Sequence, residues 1–168
     1  MAADMFMWLE GGDPPCEGES TDKEYAGKKA FEIQSFSIGA NNMADVTSRG
    51  GGGGTNRVSI SDFNITRPVD KTSPVMVRHC CQGSHFDKGT VCMRKASGQA
   101  GKPITYLKYE FEKVFVSGIS QSGGGEVPNE SISFSFLKMR VTYIPQKADG
   151  TPGTQVAAGW DLETNDKW

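Results

Sequence analysis

The stretch RHCCQGSHFDKGTVCMRK, Arg78 to Lys95, gathers His79, Cys80, Cys81, His85 and Cys92. Those side chains could ligate zinc, which takes imidazole nitrogen and thiolate sulfur, usually from pairs two to four residues apart on a turn. They could equally form a redox centre, or be ordinary core that happens to contain sulfur. Geometry argues against the metal. His79, Cys80 and Cys81 are consecutive in a segment that reads as helix, so their side chains point about 100° apart and cannot converge on one metal. His85 and Cys92 are then an isolated pair. A helical stripe accounts for more: Val77, Cys80 and Cys81 stand at i, i+3 and i+4 with Met76 alongside, and a free cysteine behaves as a small buried hydrophobe. The expectation is that Cys80, Cys81 and Cys92 pack in the core. His79 and His85 should face solvent or a neighbouring subunit, and Cys16, in a proline-rich loop, should be the exposed thiol.

Other chemistry-bearing patterns are weaker. The run RGGGGGTNR (Arg49–Arg57) lacks the Gly-Lys-Ser/Thr ending and the following helix that a phosphate loop requires. It reads as a long loop leading into Val58–Thr66. With two histidines, one on the helix and one in the turn after it, no spacing supports a nucleophile–base–orienter triad. Glu110 and Glu112 alternate with Phe111 and Lys113 and read as a solvated strand face. No catalytic residue, metal or cofactor is expected.

The elements that must position these residues are mostly strands. Met5–Leu9 is the first, followed by a turn-rich connection, Gly11–Thr21, too polar and rigid for an element. Ala30–Ala40 carries apolar residues at Phe31 and Ile33, then at Phe36 and Ile38, so the buried face must switch near Gln34 and Ser35. Val58 and Ile60 before Phe63 and Ile65 repeat that slip. So do Ile132, Phe134 and Phe136 before Leu137, Met139, Val141 and Tyr143. Such slips arise from long bent strands that pass between two packed sheets or round a small barrel, or from pairs of short strands at corners. Either gives a closed or nearly closed antiparallel β-structure. Further strands are expected at Thr90–Lys95, Ile104–Ile119, Ser131–Pro145 and Gln155–Leu162, with loops at Gly123–Asn129 and Lys147–Gly153. One helix should open at Ser73 as cap, with Pro74 in its first turn, and stop at Gly83 after about Gln82.

Bulk properties agree. The 168 residues suit one domain (1–168), and 21 glycines are about twice the usual share, as loop-rich β-proteins have. A formal charge of −2, with both signs interspersed, offers no basic patch for nucleic acid. Apolar runs are too short to span a membrane as a helix. The opening MAADMFMWLEGGD has neither the positive nor the apolar region of a cleavable signal peptide. Free thiols are therefore expected in a chain made in the cytoplasm.

A set of motifs in order along the chain resembles one family. These are M-A-A-D-M-F-M (Met1–Met7), G-E-S-T-D (Gly18–Asp22), S-F-S-I-G (Ser35–Gly39) before a glycine-rich loop, and D-K-T-S-P (Asp70–Pro74) opening the helix. V-C-M-R-K-A (Val91–Ala96), Y-L-K (Tyr106–Lys108) and the ending Y-I-P-Q-K-A-D-G through G-W-D (Tyr143–Asp161) complete it. Together they resemble the hemolysin-coregulated proteins, Hcp, the tube subunits of bacterial type VI secretion systems. That resemblance implies a small β-barrel with one packed helix, six copies in a ring, and rings stacked inside a contractile sheath. It also implies export under a VgrG-type spike, with effectors carried or stabilised in the lumen and no cleavable signal. Ser35 and Ser37 match the polar face that lines the tube, Ser37 at a position tied to effector holding. Asn41–Asn56, including Asn41, Asn42, Arg49 and Gly50, Gly51, Gly52, Gly53 and Gly54, matches the extended loop that contacts the next ring. Glu10–Glu17 is an insertion relative to the commoner pattern. Phe36 and Ile38 stand where tryptophans are frequent, and the chain reads as the bare tube subunit without a fused toxin. The competing readings are a small β-sandwich module binding carbohydrate or peptide, and a metalloenzyme built on the histidine–cysteine cluster.

Overall fold

In the computed structural model, residues 4–42, 57–97 and 102–168 are described. The strands are β1 (Asp4–Glu10), β2 (Phe31–Glu32), β3 (Ser35–Ser37), β4 (Ala40–Asn41), β5 (Ser59–Ile60) and β6 (Phe63–Pro68). The helix α1 (Ser73–Gln82) follows, then β7 (His85–Lys95), β8 (Ile104–Ser122), β9 (Asn129–Ser135), β10 (Lys138–Tyr143), β11 (Val156–Asp161) and β12 (Asp166–Lys167). All the strand pairings are antiparallel.

Each phase slip in the sequence is a change of element. Ala30–Ala40 divides into β2, β3 and β4, Val58–Thr66 into β5 and β6, and Ser131–Pro145 into β9 and β10. The corner reading therefore holds over the single bent strand. Between β2 and β3, Ile33 N–H bonds Met5 O at 3.1 Å and Gln34 N–H bonds Thr66 O at 2.8 Å. The chain thus leaves β1 as its partner and joins β6 within two residues. That handover closes a ring of strands, β2–β1–β7–β8–β9–β6–β3.

The long strand β8 is the exception, and it belongs to both walls. Leu107–Glu112 pairs with β10, whereas Phe115–Ser122 pairs with β9. Between them Lys113 takes φ +53°, a left-handed conformation that turns the strand where its neighbour changes. β10, β11 and β12 continue one wall outward as a flap. Inside, Met7, Phe31, Phe63, Ile65, Phe86, Val91, Phe111, Ile132 and Phe134 are buried, with Met76 of α1 closing one side. Each such side chain contributes about 1.5–3 kcal/mol by leaving water.

The helix has the expected ends with one correction. Gly83 terminates it at φ +65°, donating to His79 O at 3.0 Å. Ser73, however, is the first helical residue rather than the cap, and Thr72 in the cap position makes no side-chain capping bond. Ser73 is buried, and its hydroxyl donates at 2.8 Å to Glu130 on β9, so it fastens the helix to the barrel.

Candidate functional site

The histidine–cysteine cluster comes apart in three dimensions. His79 is fully buried, against expectation, because both ring nitrogens find partners: Nε2 lies 2.8 Å from Pro14 O and Nδ1 2.7 Å from Ser84 Oγ. Its ring packs on Phe86 at 4.1 Å. The inward stripe of α1 is therefore Ser73, Met76 and His79, with Cys80 half-buried, while Val77 and Cys81 are exposed. His85 is exposed as expected, beside Asp87 and Phe115. Cys92 is buried, but on the far side of β7, in a second cluster with Phe6, Trp8, Tyr25 and Ala30.

Cys16 is the clearest reversal: it is 4% exposed and belongs to the main core. The connection holding it is a strap pressed onto the barrel. A Cβ on Gly12 would fall 2.3 Å from the Phe86 ring, so only glycine lets the strap lie that close. Burial pushes the Cys16 thiol up to about 12 and raises that of Cys92, the opposite of an activated nucleophile. Among the described residues no three His, Cys, Asp or Glu groups are placed to hold a metal ion.

What the strands do assemble is two unlike walls. On the first, β3, β6, β9 and the distal half of β8 line up polar side chains in cross-strand rows. Ser35 stands opposite Thr66, Thr66 opposite Ser131, and Ser131 opposite Ser120. The next row runs Ser37, Asn64, Ser133, Gly118. Ser35 and Ser37 are exposed, whereas Phe36 between them turns inward and stacks on Phe63 at 5.5 Å. Hydroxyls of Ser35 and Thr66 touch, and Ser133 donates to Asn64 Oδ1 at 2.6 Å. At one end Gln34, Thr66, Ser120, Ser122, Asn129, Glu130 and Ser131 surround a recess of about 310 Å³. Of the residues matched to the extended loop, Asn41 ends β4 and Asn42 follows it, both exposed. Arg49 and Gly50–Gly54 lie outside the described residues.

Behind this wall is a pair of charges that the sequence reading did not single out. Arg67 (0% exposed) donates from Nε to Glu130 Oε1 at 2.7 Å and lies 3.3 Å from Asp70 Oδ2. Glu130 (2% exposed) also accepts from Ser73 and, at 2.9 Å, from Gln121. Their phase is the signal that could have found them. Arg67 continues Phe63 and Ile65, and Glu130 precedes Ile132 and Phe134, so opposite charges share the inward register of paired strands.

The second wall reverses the pattern. On β7, β8, β10 and β11 the outward rows are Thr90–Glu110–Arg140–Gly159 and Lys88–Glu112–Lys138–Asp161. Lys138 Nζ lies 3.4 Å from Glu112 and 3.7 Å from Asp161, and Lys108 lies 3.1 Å from Glu110. On β7, Arg94 (6% exposed) reaches Asp22 at 2.5 Å, with its guanidinium over the Phe6 and Tyr25 rings. The inner face of the flap is apolar. Met139, Val141 and Trp160, facing Ala40, Val58 and Ile60 at the base of the β4–β5 ladder, line an open recess of about 360 Å³.

A closed barrel with one uncharged wall, one charged wall and an apolar flank is the shape of a structural subunit. Comparison with known proteins assigns it. The family described as "Type VI secretion system effector, Hcp" matches residues 6–143. Protein hcp1 of Pseudomonas aeruginosa is 34% identical over 98% of both chains. A solved type six secretion system protein superposes with a TM-score of 0.85 at 28% identity, covering 99% of this chain and all of that one. Hcp1 from Salmonella typhimurium gives 0.78 at 26% identity over the whole of both chains. The fold extends to a baseplate component of the anti-feeding prophage, at a TM-score of 0.54 and 12% identity. The chain belongs to the Hcp family: it is a secreted, structural subunit of the type VI secretion tube and not an enzyme.

Proposed function

We propose that six copies form a ring, that rings stack into the inner tube, and that the wall bearing Ser35 and Ser37 lines its lumen. The single observation that carries this reading is the row pattern of that wall, which presents hydroxyl and amide groups and no formal charge along two full cross-strand rows. Effectors are carried or stabilised against it. Asn41 and Asn42, with Arg49 and Gly50–Gly54 beyond them, supply the contact to the next ring. The apolar recess beside Met139 and Trp160 gives a neighbouring copy in the ring a surface to bury, as a heterologous ring joint needs. A VgrG-type spike at the tip and a contractile sheath around the tube are the partners, and the chain leaves the cell through this machine without a cleavable signal. Among the described residues no helix is long and apolar enough to cross a membrane.

Sedimentation or mass photometry of the purified chain tests the assembly. A species of six subunits is expected, with annular particles in negative stain. A strictly monomeric protein at high concentration overturns the ring.

A further inference from the structure

The wall that carries Ser35 and Ser37 has a chemistry more specific than being polar. Its two complete rows hold three serines besides Ser35 and Ser37, namely Ser120, Ser131 and Ser133, together with Thr66, Asn64 and Gly118, and neither row contains Lys, Arg, Asp, Glu or an aromatic ring. The charges belonging to these strands, Arg67 and Glu130, point inward and neutralise each other. Asp62, just before β6, is occupied by Ser117 Oγ at 2.6 Å. Ser37, Ser120 and Ser131 make no side-chain hydrogen bond among the described residues, so their hydroxyls are available, each as donor and acceptor. Neighbouring strands put such hydroxyls about 4.8 Å apart across the rows.

We infer that this wall recognises its cargo through uncharged hydrogen bonding to polypeptide amides, and that its selection is blind to the cargo's net charge. The inference rests on the reading of the wall as the lumen and names the chemistry of what sits there. The recess bordered by Gln34, Thr66, Ser120, Ser122, Asn129, Glu130 and Ser131 is its seat: about 310 Å³, where carboxamides and hydroxyls match backbone N–H and C=O or Asn and Gln side chains, and the one carboxylate, Glu130, is buried and already accepts from Arg67, Ser73 and Gln121. A sugar is a poorer fit, since no aromatic platform borders the recess on which a pyranose could stack. A strongly charged peptide gains nothing here, because it would give up hydration while the one carboxylate at the recess, Glu130, is already neutralised by Arg67. Individual bonds of this kind contribute only about 1 kcal/mol each, so holding depends on many at once, which repeated subunits provide. Weak, many-point contact also lets a cargo be released intact.

Three labelled peptides of equal length test this by fluorescence anisotropy against the full chain: one rich in Asn, Gln and Ser, one in Lys, one in Glu. The neutral peptide is expected to bind best, with an affinity that shifts less than about twofold between low and high salt, because no ion pair is there to be screened. The variant Ser35→Ala, Thr66→Val, Ser120→Ala, Ser131→Ala should weaken it about tenfold or more. Ser131→Lys should instead create salt-sensitive binding of the Glu-rich peptide. Preference of the unmodified chain for either charged peptide, or unchanged binding by the quadruple variant, overturns the inference. Sedimentation of the same samples keeps the two readings apart. Monomers that still show the neutral preference would sink the ring and leave the chemistry; rings that favour charge would do the reverse.

Discussion

On the wall built from β3, β6, β9 and the distal half of β8, hydroxyls face out and an arginine–glutamate pair lies within. On the wall of β7, β8, β10 and β11, lysines, arginine and carboxylates face out, and Val91, Met139 and Phe111 lie within. One strand, β8, contributes to both, so the difference is not one of strand type. It comes from which phase of the alternation carries charge. Putting ions inside is costly, because each must leave water, and a buried pair is no stronger than the apolar residues it replaces. The arrangement nevertheless ties α1 to the barrel through Ser73 and leaves the outer surface free of charge. On the opposite wall the charges stay hydrated, where they favour solubility and tune association more than they stabilise the fold.

The largest test of that contrast is Glu130→Ala. It strips the acceptor from Arg67, Ser73 and Gln121 together and leaves a guanidinium buried without its main counter-charge. The expected loss is about 3–5 kcal/mol of unfolding free energy, read by urea denaturation. Arg67→Met combined with Glu130→Leu should recover a large part, since a buried apolar pair avoids the desolvation cost. If Glu130→Ala costs no more than a surface charge does, the pair is not acting as a buried tie.

An intermediate effect is expected at Arg94, half-way in character between the walls because its partner Asp22 is only partly covered. The Arg94 guanidinium, with the backbone N–H groups of Glu24 and Tyr25, holds the Asp22 carboxyl below the usual range even though partial burial pushes it up. A depressed carboxyl contributes stability that is complete above its unfolded pKa, about 3.9, and is lost as the pH falls through the lower folded value. Asp22→Asn should therefore cost about 1.5–3 kcal/mol at neutral pH, as a charge-assisted bond does, and the gap should close below about pH 4. Thermal unfolding of both proteins from pH 7 down to pH 2 reads it. A gap that is constant with pH would mean that Asp22 acts through its turn and not through its charge.

How much of this was legible follows from what alternation can and cannot report. The phase slips at Gln34–Ser35, Ile60–Phe63 and Phe136–Leu137 are local, and each marks a real corner. The helix ends were legible because Pro74 and Gly83 act through backbone conformation alone. Ser35 and Ser37 fall on the outer face for the same reason of parity, while their place in the rows with Thr66, Ser131 and Ser120 needed the strand pairing. Cys16 and His79 were misplaced because their burial is decided by a contact between the strap and α1, distant in sequence. A proline-rich segment looks exposed until Pro14 O is seen to accept from a histidine. Arg67 and Glu130 are hard to read from sequence because charged residues ordinarily face solvent, and only the register of β6 against β9 turns both inward.

The smallest effect is expected on the charged wall, and its sign with salt is what sharpens the contrast. Lys138 and Glu112 are partly open to water while Asp161 is largely covered, and because the cation itself stays solvated its two ion pairs together should contribute only about 1 kcal/mol. Lys138→Met removes the cation and leaves two carboxylates flanking an uncharged side chain. In the unmodified protein added salt weakens an attraction; in the variant it weakens a repulsion. The stability difference should therefore shrink toward zero as the screening length falls to about 3 Å near 1 M salt. The cost of Glu130→Ala, whose charges lie out of reach of solvent ions, should hardly move over the same range. Urea titrations of both variants at low and high salt compare the walls directly. Equal salt dependence would show that the inner pair is as solvated as the outer row, and the contrast between the walls would fail.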